Sequence, residues 1–263
     1  MIVDLSGPHG GGTLCRVTSR TEDWSATIRA AGFRGDLAVE APLAPLTTWR
    51  IGGPAELLAT PGDRADLIVL VQACADLAVP WRVLGNGSNL LVRDAGVRGV
   101  VIRVRKVLDD LAIDGEIAEA GSGLLYPALA NAVADAGLAG LEFAAGIPGT
   151  VGGAILMNAG WHAFETGNRV ATVDFLEPDG TVRTVDRAGC RFGYRSSGFQ
   201  GRRGVILAAR FALEPDDRAR IRARLEEFAA SRKANQPTHQ PSCGSVFVQP
   251  PGDFAGRLID AAG

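Results

Sequence analysis

Histidine is scarce in this chain: His9, His162 and His239 are the full set among 263 residues. The four cysteines, Cys15, Cys74, Cys190 and Cys243, stand far apart and form no Cys-x-x-Cys pair. Zinc-ligand spacing is missing, so no metal site is expected. Scattered thiols without a disulfide framework match a reducing compartment. An excess of one charge is missing too, since 27 Lys and Arg face 29 Asp and Glu for a net charge of −2. That balance argues against nucleic acid or an anionic membrane as the main partner. The start, Met1-Ile2-Val3-Asp4, runs into glycines without the basic and apolar regions of a signal peptide. No apolar run reaches the roughly 18 residues of a membrane helix. The expectation is a soluble, cytoplasmic, monomeric protein.

What is present is apolar and rich in glycine. The chain is 46% hydrophobic and 21% charged, enough for a sizeable core. Its length suits one large domain or two to three small ones. Glycine numbers 34, and the glycines cluster. Residues 1–23, with Ser6-Gly7-Pro8-His9-Gly10-Gly11-Gly12, show no period and read as a loose tail, with order beginning near Trp24.

Residues 24–105 alternate strand and helix. Ala55–Thr60 reads as a strand, Asp63 as an N-cap, and Arg64–Leu77 as a helix with apolar Leu67, Ile68, Val71 and Cys74. Trp81–Leu84, Leu90–Arg93 and Val100–Val104 read as strands. A second unit, 106–215, holds a strand at Glu116–Ala120 and a helix at Leu125–Ala136 closed by Gly137. Val170–Leu176 and Val182–Val185 flank Pro178-Asp179-Gly180, a hairpin signal, and Gly204–Leu213 is a further strand. A charged helix, Asp216–Ala234, leads into a third unit spanning 216–263.

Four segments carry candidate chemistry. Gly85-Asn86-Gly87-Ser88-Asn89-Leu90 lets the backbone approach a ligand and aims successive N–H groups at one anion, a diphosphate above all. A plain turn between strands explains it equally well. Gly146-Ile147-Pro148-Gly149-Thr150-Val151-Gly152-Gly153 is a second glycine-rich loop; its alternative is a buried helix crossing that needs small residues. Neither has the Rossmann spacing and there is no P-loop signature; two such loops in one chain favour a large diphosphate cofactor over coincidence. In Tyr194-Arg195-Ser196-Ser197, the arginine beside hydroxyls suits a carboxylate or phosphate, or is a surface arginine. In Ser242-Cys243-Gly244-Ser245, Ser245 is a nucleophile, a proton donor or a turn residue, without a hydrolase elbow around it. Cys243 is either reactive or an inert buried thiol.

Taken in order with Thr48-Trp49-Arg50-Ile51-Gly52-Gly53, these segments resemble the UDP-N-acetylenolpyruvoylglucosamine reductase family over residues 24–263. The resemblance implies an α+β fold: two FAD-binding subdomains of the vanillyl-alcohol-oxidase type and a C-terminal substrate-binding subdomain. It implies FAD as cofactor, NADPH as co-substrate and a UDP-sugar enolpyruvyl ether as substrate, in peptidoglycan precursor synthesis. By the same resemblance Arg195 and Ser245 are catalytic, Arg195 as counter-charge and Ser245 as proton donor. Arg50, Ile51, Gly85, Asn86, Gly87, Ser88, Asn89, Leu90, Gly146, Ile147, Pro148, Gly149, Thr150, Gly152, Gly153 and Asn158 hold FAD. Tyr194, Lys233 and Gln249 bind substrate. The short interval from Arg195 to Ser245 matches the family's second subtype.

The chain departs from the family pattern at Trp161 and His162, where small residues are usual, and at Val248 and Gln249, where Lys and Asn are usual. Family members continue for a few dozen residues beyond this end and carry a Glu that assists proton transfer, so a truncated third subdomain is expected. Two alternatives stay open: a flavin-binding but catalytically impaired chain, and another FAD oxidoreductase of the same superfamily.

Overall fold

Pro54–Thr60 (β3) organises the first unit, because it pairs on both sides. Asp36–Pro42 (β2) runs antiparallel to it, and Val97–Arg103 (β6) runs parallel on its other edge, followed by Trp81–Leu84 (β4). The computed structural model describes the backbone of residues 3–4 and 14–19 and, with side chains, residues 20–161, 163–236 and 240–263. Ser6–Gly12 and the three histidines lie outside the described residues.

Helix α2 (Arg64–Asp76) begins where expected: the Asp63 carboxylate accepts from the Asp66 N–H at 2.7 Å. Asp66 is itself buried and accepts from the N–H groups of Arg34, Gly35 and Gly62 at 2.7, 2.8 and 2.8 Å. Those bonds pin the entry of β2 to the helix start, and a buried carboxylate is tolerable only when so satisfied. Leu57, Leu67, Leu70, Val71, Val100 and Ile102 fill the core beneath. Each such fully buried side chain contributes about 1.5–3 kcal/mol of burial.

The loose tail expected over 1–23 needs correction. Helix α1 (Leu14–Ala30) starts well before Trp24, and Val3–Asp4 (β1) pairs in parallel with Leu90–Leu91 (β5). The reason lies in charge pairing: buried Glu56 on β3 receives Arg20 from α1 and the Gly99 N–H at 2.7 Å. Periodicity along the helix alone does not reveal that tertiary anchor. The strand expected over Leu90–Arg93 shortens to Leu90–Leu91, and the one expected over Val100–Val104 starts earlier, at Val97.

The second unit is an antiparallel five-stranded sheet. Leu111–Asp114 (β7) and Ile117–Gly121 (β8) form one edge, and Val170–Leu176 (β12), Val182–Asp186 (β13) and Val205–Ala212 (β14) complete the order β13-β12-β14-β8-β7. Helices α3 (Tyr126–Asp135) and α4 (Val151–Leu156) cover it, burying Tyr126, Leu129, Val151 and Ile155 against Phe175 and Phe211. Leu138–Ala139 (β9) pairs with Glu214–Pro215 (β15), and Gly160–Trp161 (β10) pairs with Phe164–Glu165 (β11). Leu176, Val205 and Leu207 reach across into the first unit's core, so the two units pack as one body.

Helix α5 (Arg218–Asn235) is capped by Asp217 and turns Ile221 and Leu225 onto Ala134 and Ala139. Arg224 grips buried Glu142 through Nε and Nη2 at 2.9 and 2.7 Å. This helix therefore packs on the second unit instead of opening a separate third one at 216. Beyond it lie an extended stretch and helix α6 (Ala255–Ala262), whose Leu258 and Ile259 are exposed. No helix among the described residues is long and apolar enough to cross a membrane.

Candidate active site

The two glycine-rich loops, distant in sequence, meet in space. Gly85 follows β4 directly, and a Cβ there would sit 2.6 Å from Thr150 Oγ1. Thr150 is the N-cap of α4, accepting from the Gly153 N–H at 3.4 Å. A Cβ at Gly149 would meet Ser88 Oγ at 3.4 Å and nothing else nearby, and one at Gly153 would meet only Thr150 Oγ1 at 3.7 Å. Backbone is thus laid bare on facing loops.

The N–H groups of Gly85, Asn86, Gly87, Ser88 and Asn89 donate to no acceptor among the described residues, and neither do the side chains of Asn86, Ser88 and Asn89. A run of unspent donors without competing carboxylates is the donor set an anion needs. The residues present therefore fit a diphosphate cofactor. Gly87 holds the loop in place: with φ +65° and Leu46 O only 2.4 Å from where a Cβ would stand, no side chain fits there.

The remaining expected cofactor residues divide. Arg50, left-handed at φ 59°, and Ile51, 43% exposed, stand beside this loop on the segment that bonds to it; the Arg50 N–H donates to Thr47 Oγ1 at 3.1 Å. Ile147 and Pro148 continue the second loop, Pro148 exposed. Leu90 packs into a small core with Val92 and Val101. Gly152 is a packing position: its N–H donates to Ser122 O at 2.9 Å, and a Cβ would press on Ser122 at 2.9 Å. Asn158 is buried and fully engaged, donating to Glu165 Oε2 at 2.8 Å and Gly193 O at 3.0 Å and accepting from the Gly167 N–H at 2.8 Å. It braces the loops around β10 and β11.

Arg195 sits in a tight turn, at φ 52°, where Gly193 and Ser196 exchange backbone hydrogen bonds at 3.0 and 3.1 Å. A non-glycine residue held left-handed is strained, a condition that gathers at functional sites. Its guanidinium donates to Gly160 O at 2.9 Å and lies over the Tyr194 ring, 5.4 Å from the centroid. No carboxylate among the described residues pairs with it, and Tyr194 is 54% exposed beside it. Ser197 does not share in this display, since its hydroxyl donates to Leu156 O at 2.8 Å.

Ser245 is exposed on a segment hooked to the first loop by Thr48. Thr48 Oγ1 donates to Ser242 O at 2.6 Å, the Ser242 N–H donates to Thr48 O at 3.2 Å, and the Thr48 N–H donates to Gly87 O at 3.2 Å. Gly244, at φ +81°, turns the chain into Ser245. Cys243 is buried, and that burial pushes its thiol pKa up, the mark of an inert thiol.

The two further residues expected to bind substrate, Lys233 and Gln249, sit on α5 and just before α6. Lys233 is exposed on α5, whereas its neighbour Arg232 lies inward, its Cδ only 2.8 Å from where a Gly146 Cβ would be and its guanidinium 5.8 Å from the Trp161 ring centroid. Desolvation lowers the Arg232 pKa, and no carboxylate pairs with it among the described residues. Gln249 spends its amide oxygen on the Ala255 N–H at 2.6 Å, at the start of α6. Thr48 and Arg232 border the glycine-rich loops as well; Thr48 belongs to the Thr48–Gly53 motif, and Arg232 is the sequence neighbour of Lys233.

Known proteins resemble this chain in sequence and in fold. Residues 55–186 match the FAD binding domain family. UDP-N-acetylenolpyruvoylglucosamine reductase of Heliobacterium modesticaldum is 43% identical over 232 residues, 88% of this chain and 74% of that one. The Rubrobacter xylanophilus enzyme of the same name is 46% identical over 223 residues, 84% and 74% of the two chains. The chain belongs to the UDP-N-acetylenolpyruvoylglucosamine reductase family.

The crystal structure of UDP-N-acetylenolpyruvylglucosamine reductase from Thermus caldophilus superposes on it with a TM-score of 0.74 and 37% identity, over 87% of this chain and 80% of that one. A berberine bridge enzyme variant shares the fold alone, with a TM-score of 0.56 at 16% identity over 75% of this chain and 44% of its own. The α+β FAD-binding fold expected from the resemblance is the fold observed.

Proposed function

We propose that this chain is an FAD flavoenzyme that reduces the enolpyruvyl ether of a UDP-sugar in peptidoglycan precursor synthesis, with NADPH as the reductant. The observation that carries it is the junction of Gly85–Asn89 with Gly149–Gly153, where the consecutive N–H groups of the first loop find no acceptor among the described residues. Gly85, Asn86, Gly87, Ser88, Asn89, Gly149 and Gly153 hold FAD, the first loop meeting the diphosphate with backbone donors at no cost in reorganisation. When bound, FAD would supply the two-electron chemistry that links NADPH oxidation to reduction of the enol ether.

The protein's part is charge and proton. Negative charge develops at the α-carbon and spreads into the substrate carboxylate. Arg195, held rigid by its strained turn and by Gly160 O, is the fixed cation facing that charge. Ser245 gives its hydroxyl proton to the α-carbon. Arg232, the inward cation of α5, takes the substrate-anchoring part first given to Lys233, and Tyr194 offers an exposed ring beside Arg195. The test is direct: purified protein carries FAD releasable by acid, and the NADPH-reduced enzyme is reoxidised by the enolpyruvyl UDP-sugar under nitrogen. A protein that takes up no FAD, or a reduced enzyme indifferent to that substrate, overturns the reading.

A further inference from the structure

Thr48 touches both halves of the site. Through its N–H it holds the Gly87 carbonyl at 3.2 Å, with Oγ1 also 3.4 Å from that oxygen. Through Oγ1 it holds the Ser242 carbonyl at 2.6 Å across 194 positions of sequence, and its own carbonyl receives the Ser242 N–H at 3.2 Å. Gly87 belongs to the loop with unspent donors. Ser242 begins the turn that presents Ser245, its hydroxyl accepting from the Gly244 N–H at 3.1 Å. The segment beyond Ser242 is mostly exposed: Ser245, Val246, Phe247 and Val248 are all at the surface. Cys243 alone is buried there. Thr48 therefore makes two hydrogen bonds that seat this segment on the body of the protein.

We infer that Thr48 is a positioning residue that couples occupancy of the cofactor loop to the seating of the proton-donor segment. A ligand drawn to the N–H groups of 85–89 orders the Gly87 carbonyl, the carbonyl orders Thr48, and Thr48 holds Ser242 and so aims Ser245. The proton donor is then in place only when the cofactor is. This deepens the proposed function and rests on its assignment of the two loops, yet its structural half is testable without turnover, because Cys243 reports whether the segment is seated.

The experiment measures maleimide labelling of Cys243 by peptide mass spectrometry, with and without added FAD, in the parent chain, Thr48→Ser and Thr48→Val. Buried Cys74 and Cys190 in the same samples report global opening. Without FAD, Thr48→Val labels Cys243 about fivefold faster than the parent, the worth of one hydrogen bond, while Thr48→Ser matches the parent. FAD slows Cys243 labelling at least fivefold in the parent and in Thr48→Ser, and less than twofold in Thr48→Val. Equal protection by FAD in Thr48→Val and the parent overturns the inference, since FAD then shields Cys243 without Thr48. An absence of FAD protection in the parent overturns it as well. Should Thr48→Val not fold, as judged by faster labelling of Cys74 and Cys190, Thr48→Ala is read by the same criteria. Protection that fails in the parent while FAD binds and the substrate reoxidises the flavin sinks the coupling and leaves the proposed function standing.

Discussion

Gly85 lies against Thr150 so closely that a single added methyl group would stand 2.6 Å from Thr150 Oγ1. The first residue after β4 and the N-cap of α4 thereby define one joint between the two units. The same approach that bars a side chain at 85 brings the donor-rich loop 85–89 to Gly149 and Gly153 of the other.

Gly85→Ala is expected to raise the FAD dissociation constant at least tenfold by forcing Thr150 aside. The double change Gly85→Ala with Thr150→Ala is expected to recover most of that affinity. With the threonine reduced to its Cβ, that atom lies 3.6 Å from the new methyl group, an ordinary contact. Thr150→Ala alone costs about 0.5–2 kcal/mol of cap stability. Isothermal titration on the apo-proteins measures all three, and a double variant no better than Gly85→Ala contradicts the joint.

Asn89→Ala is expected to weaken FAD binding about tenfold or more, as loss of a charge-assisted hydrogen bond of about 1.5–3 kcal/mol. The Asn89 side chain makes no hydrogen bond within the described protein, so the apo-protein's unfolding midpoint is expected to stay put. Fluorescence titration and thermal denaturation read the two quantities. Unchanged FAD affinity places the diphosphate elsewhere.

Ser245→Ala is expected to leave flavin reduction by NADPH nearly intact and to slow substrate-driven reoxidation by about 10²–10⁴. Arg195→Lys slows the same second step, because lysine keeps the charge without the planar fork. Stopped-flow absorbance at the flavin band separates the steps. Reoxidation of Ser245→Ala at the parent rate removes Ser245 as the acid.

Arg232→Gln is expected to raise the apparent substrate constant at least tenfold, and Lys233→Gln to change it less than twofold. Arg232 is the cation that lies over Gly146 and Trp161 without a carboxylate partner among the described residues, whereas Lys233 is exposed. Steady-state kinetics with varied enolpyruvyl substrate decides, and the reverse ranking restores Lys233.

Stability is expected to fall with rising pH above about 9. Burial lifts the Cys74 thiol from 9.0 to about 12 and the Cys190 thiol to about 11. Both are raised in the folded state, so their contribution is complete below pH 9 and is lost as pH climbs toward the folded values. Each thiol adds a slope of about 1.4 kcal/mol per pH unit in that window. Urea unfolding at pH 8, 9 and 10 measures it, and Cys74→Ala is expected to flatten the slope. An equal slope in that variant shows that other groups set the alkaline limit.

The local elements were legible from residue order because their causes are local. Asp63 caps α2, the apolar spacing of Arg64–Leu77 makes one buried face, and Pro178-Asp179-Gly180 turns β12 into β13. The glycine clusters at 85–87 and 146–153, and the serine after Gly244, were equally visible, since only glycine tolerates such approaches. Sequence by itself therefore determined the kind of fold, the two loops and the family. What it held back depends on contacts between distant residues. The amide of Asn158 bonds Glu165, Gly167 and Gly193, and the amide oxygen of Gln249 accepts from the Ala255 N–H, partners that residue order does not reveal. Lys233 and Arg232 are indistinguishable in a string of letters; the rotation of α5, set by Ile221, Leu225 and the Arg224–Glu142 grip, decides which one faces Gly146. The joining of Gly85 to Thr150 and of Thr48 to Ser242 was decided only by tertiary structure, because side-chain and backbone donors choose partners by distance in space, and sequence separation carries no record of it.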